Sequence, residues 1–162
     1  MSFESTRPTG EHQMSERAKP FIAVIEGSFS TEGWPGLGLA ALRIMSGMLF
    51  AEHGTQKLIG FPEPAHGISP VLSLMGLAGC LEVFGGFLLV LGIQTRLVAF
   101  ILSGEMAIAY FMAHAPRNFF PVLNGGDAAI LFCFVFLLFA LAGSGPFGVD
   151  SFMQRRKTTR PG

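Results

Sequence analysis

From Leu37 onward the chain alternates long apolar stretches with short polar ones, and the lengths of the apolar stretches set the reading. Leu37 to Leu58, Val71 to Gly92, Thr95 to Ala115 and Gly125 to Ala142 each approach the roughly 20 residues that cover a hydrocarbon core of about 30 Å. Backbone groups in lipid find no water, so each stretch is expected to be a helix. The polar punctuation agrees. Phe61-Pro62-Glu63-Pro64 breaks the chain after the first stretch, Gly92-Ile93-Gln94-Thr95 makes a hairpin after the second, and His114-Ala115-Pro116-Arg117-Asn118 ends the third. Asn124-Gly125-Gly126-Asp127 is expected to open the fourth with an N-cap and an acidic first turn. The pattern predicts an all-α integral membrane protein, a bundle of four transmembrane helices.

Residues 1–36 read as a polar N-terminal extension, 37–150 as the membrane domain and 151–162 as a basic tail. Met1 to Ala18 has little to bury and is expected to be disordered or loosely held. It lacks the basic, apolar and small-residue regions of a signal peptide, so it is expected to stay on the chain. The run from Phe21 to Phe29 is too short to cross a bilayer and is expected to lie at its interface, with Trp34 and Pro35 marking the headgroup region.

Composition then decides the solvent: 50% of residues are hydrophobic and 14% charged, too little charge for a water-facing surface. The zero net charge removes any general case for nucleic-acid binding, so the basic residues are read by position. Of the eleven Lys and Arg residues, all but Lys57 and Arg117 fall toward the side of the termini, which predicts both termini in the cytoplasm. Arg155-Arg156-Lys157 contributes most and reads as a solvated tail near anionic lipid. Cys80 and Cys133 sit in apolar runs without a CxxC and are expected to be small buried residues.

Several segments carry a recognisable pattern. Arg43-Ile44-Met45-Ser46-Gly47 with His53-Gly54 and Lys57-Leu58, then Glu82-Val83-Phe84-Gly85-Gly86 with Leu91-Gly92-Ile93-Gln94-Thr95-Arg96, resemble DoxX-type membrane proteins. So do Asn124-Gly125-Gly126-Asp127, whose acidic position that family more often fills with Glu, and the closing Gly143 to Asp150 segment. The resemblance covers roughly Leu37 to Asp150 and implies a four-helix bundle in the bacterial plasma membrane. Some proteins of that type are small membrane subunits of quinone-linked oxidoreductases of sulfur metabolism, and others are associated with redox defence. The N-terminal extension falls outside the shared pattern.

Ionisable residues within spans are costly and tend to face the bundle interior in pairs, which makes them the functional candidates. Glu82 and Glu105 fall near the midplane, Arg43 about two turns from one end, and Glu52, His53 and Lys57 toward the other end, where His114, Arg117 and Asp127 also arrive. Arg43 and Glu82 are expected to pair across the first two spans, either as a register lock or as part of a site. No obvious cation shares the depth of Glu105 on a neighbouring span, so it is expected either to be held protonated by burial or to pair with Arg43. His53 and Lys57 share a helical face, Glu52 is offset by about 100°, and with His114 the group reads either as a quinone or proton-transfer site or as a solvated interface. A bis-histidine haem on His53 and His114 is disfavoured by the absence of ligand spacing within one helix, and no metal motif is present. Asp127 reads as a first-turn residue. The glycines of the second span, Gly76, Gly79, Gly85, Gly86 and Gly92, read first as packing positions, with a groove for a flat ring or isoprenoid tail as the other reading.

These features favour an auxiliary or anchoring subunit of a membrane redox system, with quinone as the candidate cofactor and the bilayer plus a protein partner or a second copy as its contacts. The rival classes are a structural or assembly protein, and a small-solute transporter, which the lack of an inverted repeat and of interrupted helices disfavours.

Overall fold

The computed structural model describes residues 33–63 and 67–158, and every regular element among them is helical. Helix α1 is Trp34–Ile59 and α2 is Leu74–Leu91; α3, Thr95–Ala109, runs on into a π-helical turn, Tyr110–His114. A single turn, α4 (Pro121–Asn124), precedes α5 (Asp127–Ala142), and α6 (Val149–Thr158) follows. The expected interfacial run Phe21 to Phe29 and the polar stretch before it lie outside the described residues.

An all-helical membrane protein is what is found. Trp34–Ile59, Leu74–Leu91 and Thr95–His114 are each long and apolar enough to cross a membrane. The single turn α4 ends on Gly125 at φ 70°, and the fourth apolar stretch, expected from Gly125 to Ala142, is the unbroken helix α5 of 16 residues. At 1.5 Å per residue that is about 24 Å of helix, short of a full hydrocarbon core. The α5 N-cap is Gly126, without a side-chain cap; Asn124 sits one turn earlier and serves the kink instead.

The helix ends follow local chemistry. Pro35 occupies the first turn of α1, where a missing N–H costs nothing, and Gly60 ends the helix in the left-handed region at φ 72°. Ser73 caps α2 by accepting from the Gly76 N–H at 3.0 Å, and Gly92 at φ 69° terminates it. Helix α3 opens at Gln94, whose N–H and that of Thr95 donate to the Asp150 carboxylate at 2.9 and 2.8 Å. A residue 55 positions away therefore supplies the cap.

Two helix pairs make most of the contacts, α1 with α2 and α3 with α5. In the first pair the backbones nearly touch. A Cβ built on Gly54 would lie 2.6 Å from the Gly79 carbonyl oxygen, and one on Gly86 would lie 2.6 Å from that of Gly47. Gly79 and Gly86 thus meet the α1 backbone and act as close-packing positions, while Gly85 faces the Leu102 side chain of α3 and Gly92 faces Gly148. The core joins the pairs through Phe50, Leu89, Leu102, Phe136 and Phe139, with Phe50 edge-on to Phe136 at 4.7 Å between centroids. Cys80 and Cys133 are free and half-buried, and the Cys133 carbonyl accepts from the Ser103 hydroxyl at 2.8 Å. Burial is inverted relative to a soluble protein: Arg43 and Glu82 are buried while Leu72, Phe84, Phe100 and Phe134 are exposed.

Candidate functional site

The buried charges gather at two places, one toward each end of the bundle. The expected Arg43–Glu82 pair does not form. The Arg43 guanidinium donates to four backbone carbonyls: Nε to Ser144 at 3.0 Å, Nη1 to Leu89 and to Val90 at 2.7 Å for the latter, and Nη2 to Phe147 at 3.2 Å. Leu89 and Val90 lie in the last turn of α2, at the negative end of the helix dipole, and the Leu89 carbonyl accepts from the Gly92 N–H at 3.0 Å as well as from Arg43. The register explains the choice. Gly47 faces Gly86 and Gly54 faces Gly79, which sets Glu82 level with about residue 51 of α1. Arg43 is then roughly 12 Å away along the axis, and helical side chains lean toward their own N-terminus, so Arg43 leans away from Glu82.

The rest of that end closes around the same residues. Asp150 caps α3 and donates its own N–H to the Gly92 carbonyl at 3.0 Å. The Ser151 hydroxyl reaches the Gly145 carbonyl and lies 2.9 Å from the Ser144 hydroxyl. Arg96 serves α5 as Arg43 serves α2, with Nη1 2.5 Å from the Leu141 carbonyl and 3.4 Å from that of Ala140. The motif segments Gly92 to Arg96 and Gly143 to Asp150 are accounted for by this backbone tie.

At the opposite end the partner of Glu82 is Lys57, whose Nζ donates to Glu82 Oε1. Lys57 also leans toward its N-terminus, which here means inward, toward the acid. Glu82 is 2% exposed and Lys57 28% exposed, so the pair opens toward the surface on the lysine side. Glu82 Oε2 and both carboxyl oxygens of Glu105 are buried with no hydrogen-bond partner among the described residues. Glu105 is within electrostatic reach of Glu82 and Lys57, and His53 of Glu82. Helices α1, α2 and α3 thus bring His53, Lys57, Glu82 and Glu105 into one cluster. It lies at mid-helix depth, since Glu82 is at the centre of α2 and Glu105 near the centre of Thr95–His114. Neither Lys57 nor Arg43 bonds to Glu105.

Of the candidates, His53 stands at the exposed edge of the cluster and the others lie apart from it. His53 is exposed and sets its ring edge-on to Phe132 at 6.0 Å. His114 is 3.1 Å through Nδ1 from the Asn124 carbonyl and stacks on Tyr110 at 6.4 Å, so it serves the π turn and the α4–α5 kink. Asn124, which the sequence reading placed only as a cap, is buried and organises that kink: its Nδ2 donates to the Asn118 carbonyl and its Oδ1 accepts from the Gly126 N–H, both at 2.8 Å. Glu52 is exposed, and its backbone carbonyl accepts from the Thr55 hydroxyl at 2.9 Å. Asp127 is exposed in the first turn of α5, as expected. The group expected to join His53, Lys57, His114 and Glu52 is thus divided, with Lys57 and His53 near the acids and His114 at the kink. No group of three or more His, Cys, Asp or Glu suited to a metal ion occurs among the described residues.

A family model, DoxX, matches residues 38–115. That range holds Arg43 and the whole His53, Lys57, Glu82 and Glu105 cluster and ends before Asn124, Asp127 and Asp150. A protein of Haemophilus influenzae (strain ATCC 51907 / DSM 11121 / KW20 / Rd), named only as an uncharacterized protein, is 42% identical over 118 residues, covering 70% of this chain and 88% of its own. No solved structure matches.

Proposed function

Because the chain belongs to the DoxX family of membrane proteins, we propose that it is an auxiliary, membrane-anchoring subunit of a quinone-linked redox system, with a quinone headgroup site at the Lys57 end. One observation supports this above the others: a lysine–carboxylate pair beside a second carboxyl, with three buried oxygens unpartnered, at mid-helix depth in an apolar bundle. Buried charges of this kind are expensive unless they bind or move something. Lys57 and His53 supply hydrogen-bond donors for a carbonyl, and Glu82 and Glu105 supply proton acceptors. His114 and Glu52, toward the same end, are the polar approach to the site. In this reading the chain lies in the bacterial plasma membrane with both termini cytoplasmic, as the basic tail favours, and works with a protein partner or a second copy.

The rival reading is a structural or assembly protein. The Arg43 end favours it, since every charge there is bonded to backbone. Quinone content separates the two. Protein purified in mild detergent is expected to retain quinone on extraction, with Lys57→Ala and Glu105→Gln retaining several-fold less per folded protein. Equal retention in wild type, His53→Ala, Lys57→Ala and Glu105→Gln would remove the site.

A further inference from the structure

We infer that the Lys57 end selects the reduced, dihydroxy form of its carrier, the quinol, over the quinone; this rests on the functional reading above. The inference comes from counting donors and acceptors. Glu82 Oε1 accepts from Lys57, while Glu82 Oε2 and both oxygens of Glu105 accept from no donor among the described residues. While both acids are ionised these oxygens can only accept, so the cluster is short of donors. What the cluster lacks is a group that donates to Glu82 Oε2 and spans to Glu105. A quinone offers only carbonyl acceptors, whereas a quinol offers hydroxyls that donate and still accept from Lys57 or His53. Leaving a buried carboxylate oxygen without a donor is the costlier mismatch, so discrimination of about tenfold or more is expected.

The position suits a membrane-soluble hydroxyl compound. The cluster draws on both helix pairs, with Lys57 and Glu82 on α1–α2 and Glu105 on α3, and the α2–α3 contact joining them is sparser than the contacts within either pair. The oxygens are closed off, so admission of a ring requires the pairs to part along this seam. Their mid-helix depth places the site within reach from the bilayer interior.

The test compares the two redox forms of one short-chain benzoquinone on the full protein in lipid nanodiscs under anaerobic conditions, by equilibrium dialysis. The expected result is a dissociation constant for the quinol at least tenfold below that for the quinone. Glu82→Gln, whose amide can itself donate, is expected to weaken quinol binding and narrow the gap to less than threefold, with Tm measured alongside. Equal or tighter quinone binding by wild type overturns the inference and leaves the functional reading standing. Failure of either form to bind overturns both.

Discussion

The two ends of this bundle treat buried charge in opposite ways. At the Arg43 end a wholly buried guanidinium reaches four carbonyls, and Asp150 receives the first N–H groups of α3. At the Lys57 end a buried ion pair and a second acid leave three oxygens without a partner. The first arrangement satisfies its buried charges, although the Thr95 hydroxyl beside it is buried without a partner among the described residues, and in a low-dielectric interior a charge contributes only when its bonds are made. The second lowers stability, and such deficits concentrate where a protein binds or transfers something. One end holds the helices; the other carries the candidate chemistry.

The largest test of this contrast is Arg43→Ala. It strips bonds from four carbonyls and opens space beside the end of α2, so it is expected to destabilise by about 3–5 kcal/mol in a detergent melt. Adding Glu82→Ala should not restore the loss, because the two side chains are not partners. Restoration in the double variant would revive the Arg43–Glu82 pair and break the comparison. A medium effect is expected at the seam that fixes the register of both ends. Gly54→Ala places a methyl group 2.6 Å from the Gly79 carbonyl oxygen and should cost about 1–3 kcal/mol. Gly104→Ala, with nothing within 4 Å of its new Cβ, should be neutral or stabilising by up to about 1 kcal/mol. Equal melts for both glycine variants would show that the helices are not held that closely. The smallest effect carries the opposite sign. Glu105→Leu removes two unpartnered buried oxygens and should leave the melt unchanged or raise it by about 1 kcal/mol, while lowering retained quinone. A loss like that of Arg43→Ala would mean that the Lys57 end is built for stability as well.

Much of the fold was legible in the sequence because apolar length and Gly/Pro punctuation are one-dimensional signals; α2 begins within three residues, and α1 ends within one, of the stretches they imply. The Asn124 to Asp127 motif was legible as the opening of the fourth helix, whereas the single turn α4 that ends on Gly125 just before it was not, since a turn that ends one helix and a cap that opens the next share the same residues. The polar residues were legible as candidates but their pairing was not. Depth alone set Arg43 against Glu82, whereas the glycine register and the lean of helical side chains give Glu82 to Lys57. Asp150 acts on backbone groups brought near only by the fold, and composition carries no trace of that, whereas the Asn124 contacts are local, to Gly126 and Asn118.

The carbonyls that hold Arg43 also impose an order on biosynthesis. Ser144 and Phe147 lie 101 and 104 residues downstream of it, so the first helix enters the membrane with its arginine incompletely bonded. At translation rates of about 5–20 residues per second, the gap lasts roughly five to twenty seconds before the closing segment is made. Until then the nascent chain carries an arginine short of partners in lipid, and a chain that stops before Ser144 keeps it so. Completion of the segment that holds Ser144 and Phe147 thus separates chains in which Arg43 can make all its bonds from chains truncated before it.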